Sequence, residues 1–289
     1  MRWEITSNSD GFRGAVLPAV PLPAGEKLVV CLGDSSTYGW GVAERETFPV
    51  RLERYLNAAG AGRYEVVSLG HPGYTSWQGK ILAERLVSLR PTVVTIAYGP
   101  NDSSAAGMTD RELWERDQTL PARAAAVAEH LALYRTMRRA VLAVWNPAER
   151  AGKEKAALRS RVPLREYEAN LRAIVETVRA AGATPILIGI GLRGPYLDLM
   201  VRVATETQTP FRDSERLYAA ALPAVKDGTA YAAAVEKIRG SLREMLEEQE
   251  FFYLKVDPTH PNPIGHDLIA RTLTGLILGT AVPPEAGLE

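Results

Sequence analysis

The stretch Lys27–Leu28–Val29–Val30–Cys31–Leu32–Gly33–Asp34–Ser35–Ser36 decides how this chain is read. Leu28 to Leu32 are apolar without interruption. A strand with one wet face alternates apolar and polar residues, whereas an unbroken run belongs to a strand buried on both faces, as in a parallel sheet covered by helices. Gly33 closes the run, and the polar Asp34–Ser35–Ser36 follows at what would be the carboxyl end of the strand. Open parallel sheets bind their ligands just beyond such ends.

Outward from this stretch, strands and helices alternate. Phe48 to Ala59 is amphipathic, with Val50, Leu52, Tyr55 and Leu56 on one side. Tyr64–Leu69 reads as a second strand, closed by the Gly70–His71–Pro72–Gly73 turn. Thr75–Leu89 reads as a helix stopped by Arg90–Pro91, and the β-branched Thr92–Tyr98 as a third strand. Leu164–Ala181 carries a buried helical stripe of Tyr167, Leu171, Ile174, Val175 and Val178, and Pro185–Ile190 is a fourth strand. Helical segments fill much of 196–248. A short strand-like Phe251–Leu254 then precedes a turn at Asp257, and Ile264–Leu278 closes the chain as a helix. This alternation implies right-handed βαβ units, hence an α/β fold with a parallel central sheet between helical layers. Residues 27–280 read as one domain, with an irregular arm at 1–26 and a tail at 281–289. The alternation pauses at 103–163, where an Ala-rich helix of about 122–145 is expected; this is a helical insertion after the third strand, placed as a cap beside the site.

Composition narrows the function. Of 289 residues, 46% are hydrophobic and 24% charged, with 34 basic and 34 acidic side chains. A net charge of zero gives no global field to attract nucleic acid or an anionic membrane. The basic stretches 135–139 and 153–161 are interleaved with apolar helical positions and read as solvated faces. The single cysteine, Cys31, lies in the first strand and reads as a buried core residue. No apolar run approaches the roughly 18 residues of a membrane span. Glu4, Asp10 and Arg13 interrupt any signal-peptide pattern. The expectation is therefore a cytoplasmic protein, with a periplasmic or extracellular place as the alternative if an export segment precedes the sequence.

Four polar clusters fall at strand ends or in the last turn: Gly33–Asp34–Ser35–Ser36, Gly70 to Ser76, Gly99–Pro100–Asn101–Asp102 and Asp257–Pro258–Thr259–His260–Pro261. Together they hold what acyl transfer requires. A hydroxyl nucleophile needs a base within reach, and the base needs an orienting group. Ser35, His260 and Asp257 fill these roles, with Asp257 accepting the other ring N–H of His260. The tetrahedral intermediate needs hydrogen-bond donors, supplied by the backbone N–H groups of Ser35 and Gly73 and the side-chain amide of Asn101. Each cluster alone is a common turn signature; their combination and order carry the reading.

These four blocks resemble those of the SGNH (GDSL-like) hydrolases, named for the Ser, Gly, Asn and His that the blocks contribute. The resemblance spans residues 27–280. It implies a flavodoxin-like three-layer α/β/α fold and a serine esterase, lipase or deacetylase with no cofactor. It carries Ser35 over as nucleophile, Gly73 and Asn101 as oxyanion donors, and Asp257 and His260 as the rest of a triad. Ser36 departs from the apolar residue common at that position. Asn8 to Gly14 resembles a lead-in found in bacterial SGNH proteins, some of them membrane-anchored. The α/β-hydrolases share the Ser–Asp–His order, but their Gly-x-Ser-x-Gly elbow is missing here.

Other residues near these motifs are candidate substrate contacts. Asp34 precedes the nucleophile, Tyr38 and Trp40 follow it, His71 shares the turn with Gly73, and Arg161 precedes the Leu164 helix. Tyr38 and Trp40 read equally well as core aromatics, His71 as a turn residue and Arg161 as a solvated side chain. His130 and His266, on helices, read as structural, and no metal-ligand spacing is present. The expected reaction is hydrolysis of a short-chain acyl ester of a small molecule or carbohydrate. The alternatives are O-acyl transfer or deacetylation on carbohydrate hydroxyls with the same site, and a non-catalytic flavodoxin-like module binding phosphate or a nucleotide at the Ser35–Thr37 loop.

Overall fold

The computed structural model describes residues 8–14, 16–18, 20–119, 158–240, 251–254 and 257–283. At its centre lie five parallel strands: β1 (Glu26–Gly33), β2 (Arg63–Gly70), β3 (Val93–Ala97), β6 (Thr184–Gly189) and β7 (Phe211–Asp213). They are ordered β2-β1-β3-β6-β7, and every pairing is parallel. This is the order of the doubly wound flavodoxin-like sheet, whose switch point lies between β1 and β3.

The apolar run that opened the sequence reading is buried on both faces. Leu28, Val30 and Leu32 join the core formed with α3 (Ser76–Leu86), α5 (Leu164–Ala180) and α6 (Gly194–Glu206). Val29 and Cys31 point the other way, into the core formed with α2 (Phe48–Ala58), α7 (Ser214–Lys226) and α9 (Pro263–Leu278). The period-two alternation of a strand thus divides one uninterrupted apolar run between two helical layers.

The sequence reading differs from the structure in four places. β7 was not anticipated: it has three residues, only one of them apolar, and so offers neither an apolar run nor an alternation. The helix expected over 75–89 ends at Leu86, continues as a 3₁₀ turn through Leu89, and stops at Arg90 with φ +50°. The segment expected as a turn at Asp257 is the extended β9 (Asp257–Pro261), paired antiparallel with β8 (Tyr253–Leu254). In the connection after β3, helix α4 (Asp110–Asp117) lies between the two strands of an antiparallel bridge, β4 (Ala105–Ala106) and β5 (Arg159–Ser160), which closes the connection at its root. The Ala-rich helix expected at 122–145 lies outside the described residues.

Two further features bear on the site. The arm is irregular over its described residues, yet its Arg13 is buried. The guanidinium donates to the carbonyls of Tyr38, Gly39 and Val42 at 3.2, 2.7 and 2.9 Å. In the layer of α2 and α9, Asp267 accepts from Arg51 and Tyr55 at 2.9 Å and from Tyr231 at 2.6 Å, tying the two helices together. His266 beside it is structural as expected. Its Nδ1 accepts the Phe48 N–H at 3.2 Å, and burial, followed by the charges of Arg51 and Arg13, lowers its pKa to about 3.

Candidate active site

β1, β2 and β3 end side by side, with Gly33 in register with Gly70 on one side and Ala97 on the other. From β1 the chain turns at once into α1 (Ser35–Tyr38). The turn is tight because Gly33 has no side chain: a Cβ there would lie 2.0 Å from Thr37 Oγ1. Asp34 caps α1, its carboxylate accepting the Ser36 N–H at 2.8 Å. Only 3% exposed, it is a buried cap. Burial raises its pKa to about 6, against the lowering effects of the Ser36 N–H and the charge of His260.

Ser35, the first residue of α1, is half-buried, and its hydroxyl meets His260 Nε2 at 2.7 Å. His260 Nδ1 lies 2.5 Å from Asp257 Oδ2. A carboxylate that accepts the Nδ1–H leaves Nε2 as the acceptor for the serine hydroxyl. Asp257 also accepts from the Thr259 N–H and hydroxyl at 3.1 and 2.6 Å. Burial raises its pKa, but the bonds from Thr259 and His260 outweigh this, and the net shift is downward. Asn262 holds the loop in place: its Oδ1 caps α9 through the N–H groups of Ile264 and Gly265, and its Nδ2 donates to Tyr253 O.

The other motif residues gather beside this chain of contacts. Gly73 has φ +81°, a backbone conformation that favours glycine, and nothing stands within 4 Å of its Cβ position. The residue is therefore required by conformation and not by crowding. Asn101, in the turn that follows β3, donates from Nδ2 to Tyr74 O at 3.0 Å and keeps its second amide hydrogen. Among the described residues, neither the Ser35 N–H nor the Gly73 N–H donates to a protein acceptor. Asp102 is fully buried and fixes the start of α3, accepting the Ser76 N–H and, at 2.5 Å, the Ser76 hydroxyl, which in turn accepts from Asn170 at 3.0 Å. Burial raises the Asp102 pKa to about 7, with the Ser76 bonds working against it.

The remaining candidates divide. Trp40 is 44% exposed, with its ring centroid 6.3 Å from that of His260, and so borders the site. His71 stacks on Tyr74 at 4.2 Å, and its Nδ1 meets Pro72 O at 3.1 Å. Tyr38 is buried beneath the Arg13 guanidinium. Arg161 is not a free surface side chain: it forms a bidentate pair with Asp110 and donates to Gly73 O. Sequence reasoning missed Asp110, Asp102, Ser76 and Arg13. Asp102 stands in a quoted motif and Arg13 in the quoted lead-in, but their buried bonds have no signature in sequence.

Flavodoxin-like layers with a hydroxyl, an imidazole and a carboxylate in series at the switch point define a class, the SGNH-type ester hydrolases. The chain belongs to the GDSL-like lipase/acylhydrolase family, whose model matches residues 31–268. A search of curated proteins returned no match. Among solved structures the chain is similar to the lipase/acylhydrolase from Enterococcus faecalis, with a TM-score of 0.51 and 16% identity over 90% of this chain and 100% of that one. It is likewise similar to the psychrotrophic esterase EstA from Pseudoalteromonas sp., with a TM-score of 0.50 and 15% identity over 88% and 97% of the two chains. At such identities the likeness bears on the fold. The protein is an ester hydrolase.

Proposed function

We propose that the protein hydrolyses short-chain acyl esters through an acyl-enzyme on Ser35. The observation that carries this is the continuous hydrogen-bonded chain from Ser35 Oγ through His260 to Asp257. Ser35 Oγ attacks the acyl carbonyl carbon while His260 Nε2 takes the hydroxyl proton, and Asp257 stabilises the imidazolium. The carbonyl oxygen becomes an oxyanion, received by the N–H groups of Ser35 and Gly73 and the free amide hydrogen of Asn101. Collapse of the intermediate expels the alcohol, which takes the proton from His260. Water then attacks the acyl-serine with His260 again as base, releasing the acid and restoring the serine. The test is turnover of 4-nitrophenyl acetate, butyrate and longer esters by wild type and Ser35→Ala. Acetate and butyrate should be preferred, and Ser35→Ala should be inactive; unchanged turnover by the variant would reject the assignment.

Exposed Trp40 beside His260 favours a second reading, in which the alcohol is a carbohydrate and its ring stacks on the indole. The same site then deacetylates sugars or transfers acyl groups to them. Trp40→Ala should raise KM for an O-acetylated sugar while sparing 4-nitrophenyl acetate. Partition of product toward an added sugar acceptor would separate transfer from hydrolysis. The binding-module reading would leave Asn101 and the Asp257–His260 pair without a role, and covalent labelling of Ser35 by a fluorophosphonate would exclude it.

A further inference from the structure

Gly73 sets a physical problem. Its N–H is the proposed oxyanion donor, yet glycine is the residue with the fewest steric limits on its backbone, and open space surrounds its Cβ position. A donor stabilises developing charge in proportion to how firmly it is aimed before the reaction begins. The direction of this N–H must therefore be held by bonds on either side of it.

The strongest of these comes from the far side of the β3–β6 connection. Arg161 Nη1 donates to Gly73 O at 2.8 Å. The guanidinium cannot swing away, because its Nε and Nη2 each meet one oxygen of Asp110 at 2.9 Å. Asp110 is 4% exposed and is itself fixed by Thr75 Oγ1 at 2.7 Å and Gln78 Nε2 at 3.1 Å, both at the start of α3. Backbone bonds lock the pair further: Asp110 N–H donates to Arg161 O, and Arg161 N–H to Ser104 O. A planar fork held by a bidentate carboxylate presents its third edge in one direction only. An ammonium on a flexible stem does not.

We infer that Arg161 is a positioning residue for the oxyanion donor: held by Asp110, it fixes the Gly73 carbonyl and thereby the aim of the Gly73 N–H. In this role it acts through Gly73 and not on the substrate or the reacting atoms. The inference rests on the acyl-enzyme reading above and adds to it the device that makes one donor rigid.

The experiment compares wild type, Arg161→Lys and Asp110→Asn on 4-nitrophenyl acetate and on its thiono analogue, with active sites counted by fluorophosphonate labelling of Ser35. Sulfur is larger than oxygen and a weak hydrogen-bond acceptor, so a well-aimed donor helps the thiono ester little. Losing a donor outright lowers kcat by about 10²–10³, and loosening one should lower it by roughly tenfold or more. Both variants should show that loss on the oxo ester with KM nearly unchanged, and less than about a twofold loss on the thiono ester. Ser35 should still label to completion. Equal losses on the two esters would indicate a structural role alone, a rise confined to KM would make Arg161 a substrate contact, and rates within twofold of wild type would show no role; each overturns the inference. Asp110→Asn carries the same test if Arg161→Lys does not fold. Wild type that neither labels nor turns over ester would reject the acyl-enzyme reading itself, a distinguishable failure.

Discussion

The two halves of the proposed site are built in opposite ways. The half that would move protons comes from two short segments, the start of α1 and the strand β9. Ser35, His260 and Asp257 are half-buried and bond chiefly to one another and to Thr259. The half that would receive the oxyanion adds to the Ser35 N–H two turns, one after β2 and one after β3, and its own groups are few. Around them stands a web of buried polar contacts reaching Asp102, Ser76, Asn170, Asp110, Thr75 and Arg161. The first half should therefore tolerate alteration without disturbing the fold, whereas the contacts of the second half tie the connection after β3 to the start of α3.

The largest expected effect tests that separation directly. Ser35→Ala or His260→Ala should lower kcat on an activated acetyl ester by about 10⁴-fold or more. Thermal denaturation of either variant should stay within a few degrees of wild type. A collapse of the melting temperature would erase the contrast. Asn101→Ala comes next. It should lower kcat by about 10²–10³-fold, as loss of one donor does, and it should also loosen the turn through its lost bond to Tyr74 O.

Asp102 should show the reverse balance, with more effect on stability than on chemistry. Asp102→Ala leaves the Ser76 N–H and hydroxyl without their buried acceptor, a loss of about 1–3 kcal/mol in urea denaturation. Asp102→Asn, which keeps one acceptor oxygen, should lose less. The pH dependence follows from the sign of the shift. Folding raises the Asp102 pKa to about 7 and that of Asp34 to about 6, so the folded chain keeps protons that the unfolded chain has already released. Their contribution is full below about pH 4, where the unfolded carboxylates also hold their protons, and declines as pH rises through 6 and 7. Asp102→Asn should therefore flatten the fall in stability over that range relative to wild type. An unchanged slope would remove Asp102 from the account.

The sequence made one of these halves more legible than the other. An apolar run followed by Gly-Asp-Ser, and an Asp three residues before a His, are local patterns, and the pair they imply is hydrogen-bonded in the structure. The parallel sheet was legible for the same reason, since β1 and β3 are runs that only double burial explains. β7 was not, because three residues are too few to show a period. Nor was the partnership of Arg161 with Asp110, or that of Asp102 with Ser76. Their contacts join distant segments, and nothing in either neighbourhood marks one residue for the other. Arg161 reads in the sequence as a candidate substrate contact or a solvated side chain, but it pairs with a carboxylate of its own chain.

The buried Arg13 has a consequence for where this unit begins. A boundary at residue 26, where regular structure starts, looks natural for anyone trimming the chain to its smallest working piece. Such a cut would remove the only guanidinium among the described residues that donates to the carbonyls of Tyr38, Gly39 and Val42. Those carbonyls lie at the end of the short helix that starts with Ser35 and in the loop that presents Trp40. The arm is thus a strut beneath the helix that starts with Ser35, and a piece cut at residue 26 should hold Ser35 less firmly than one that starts ahead of Arg13.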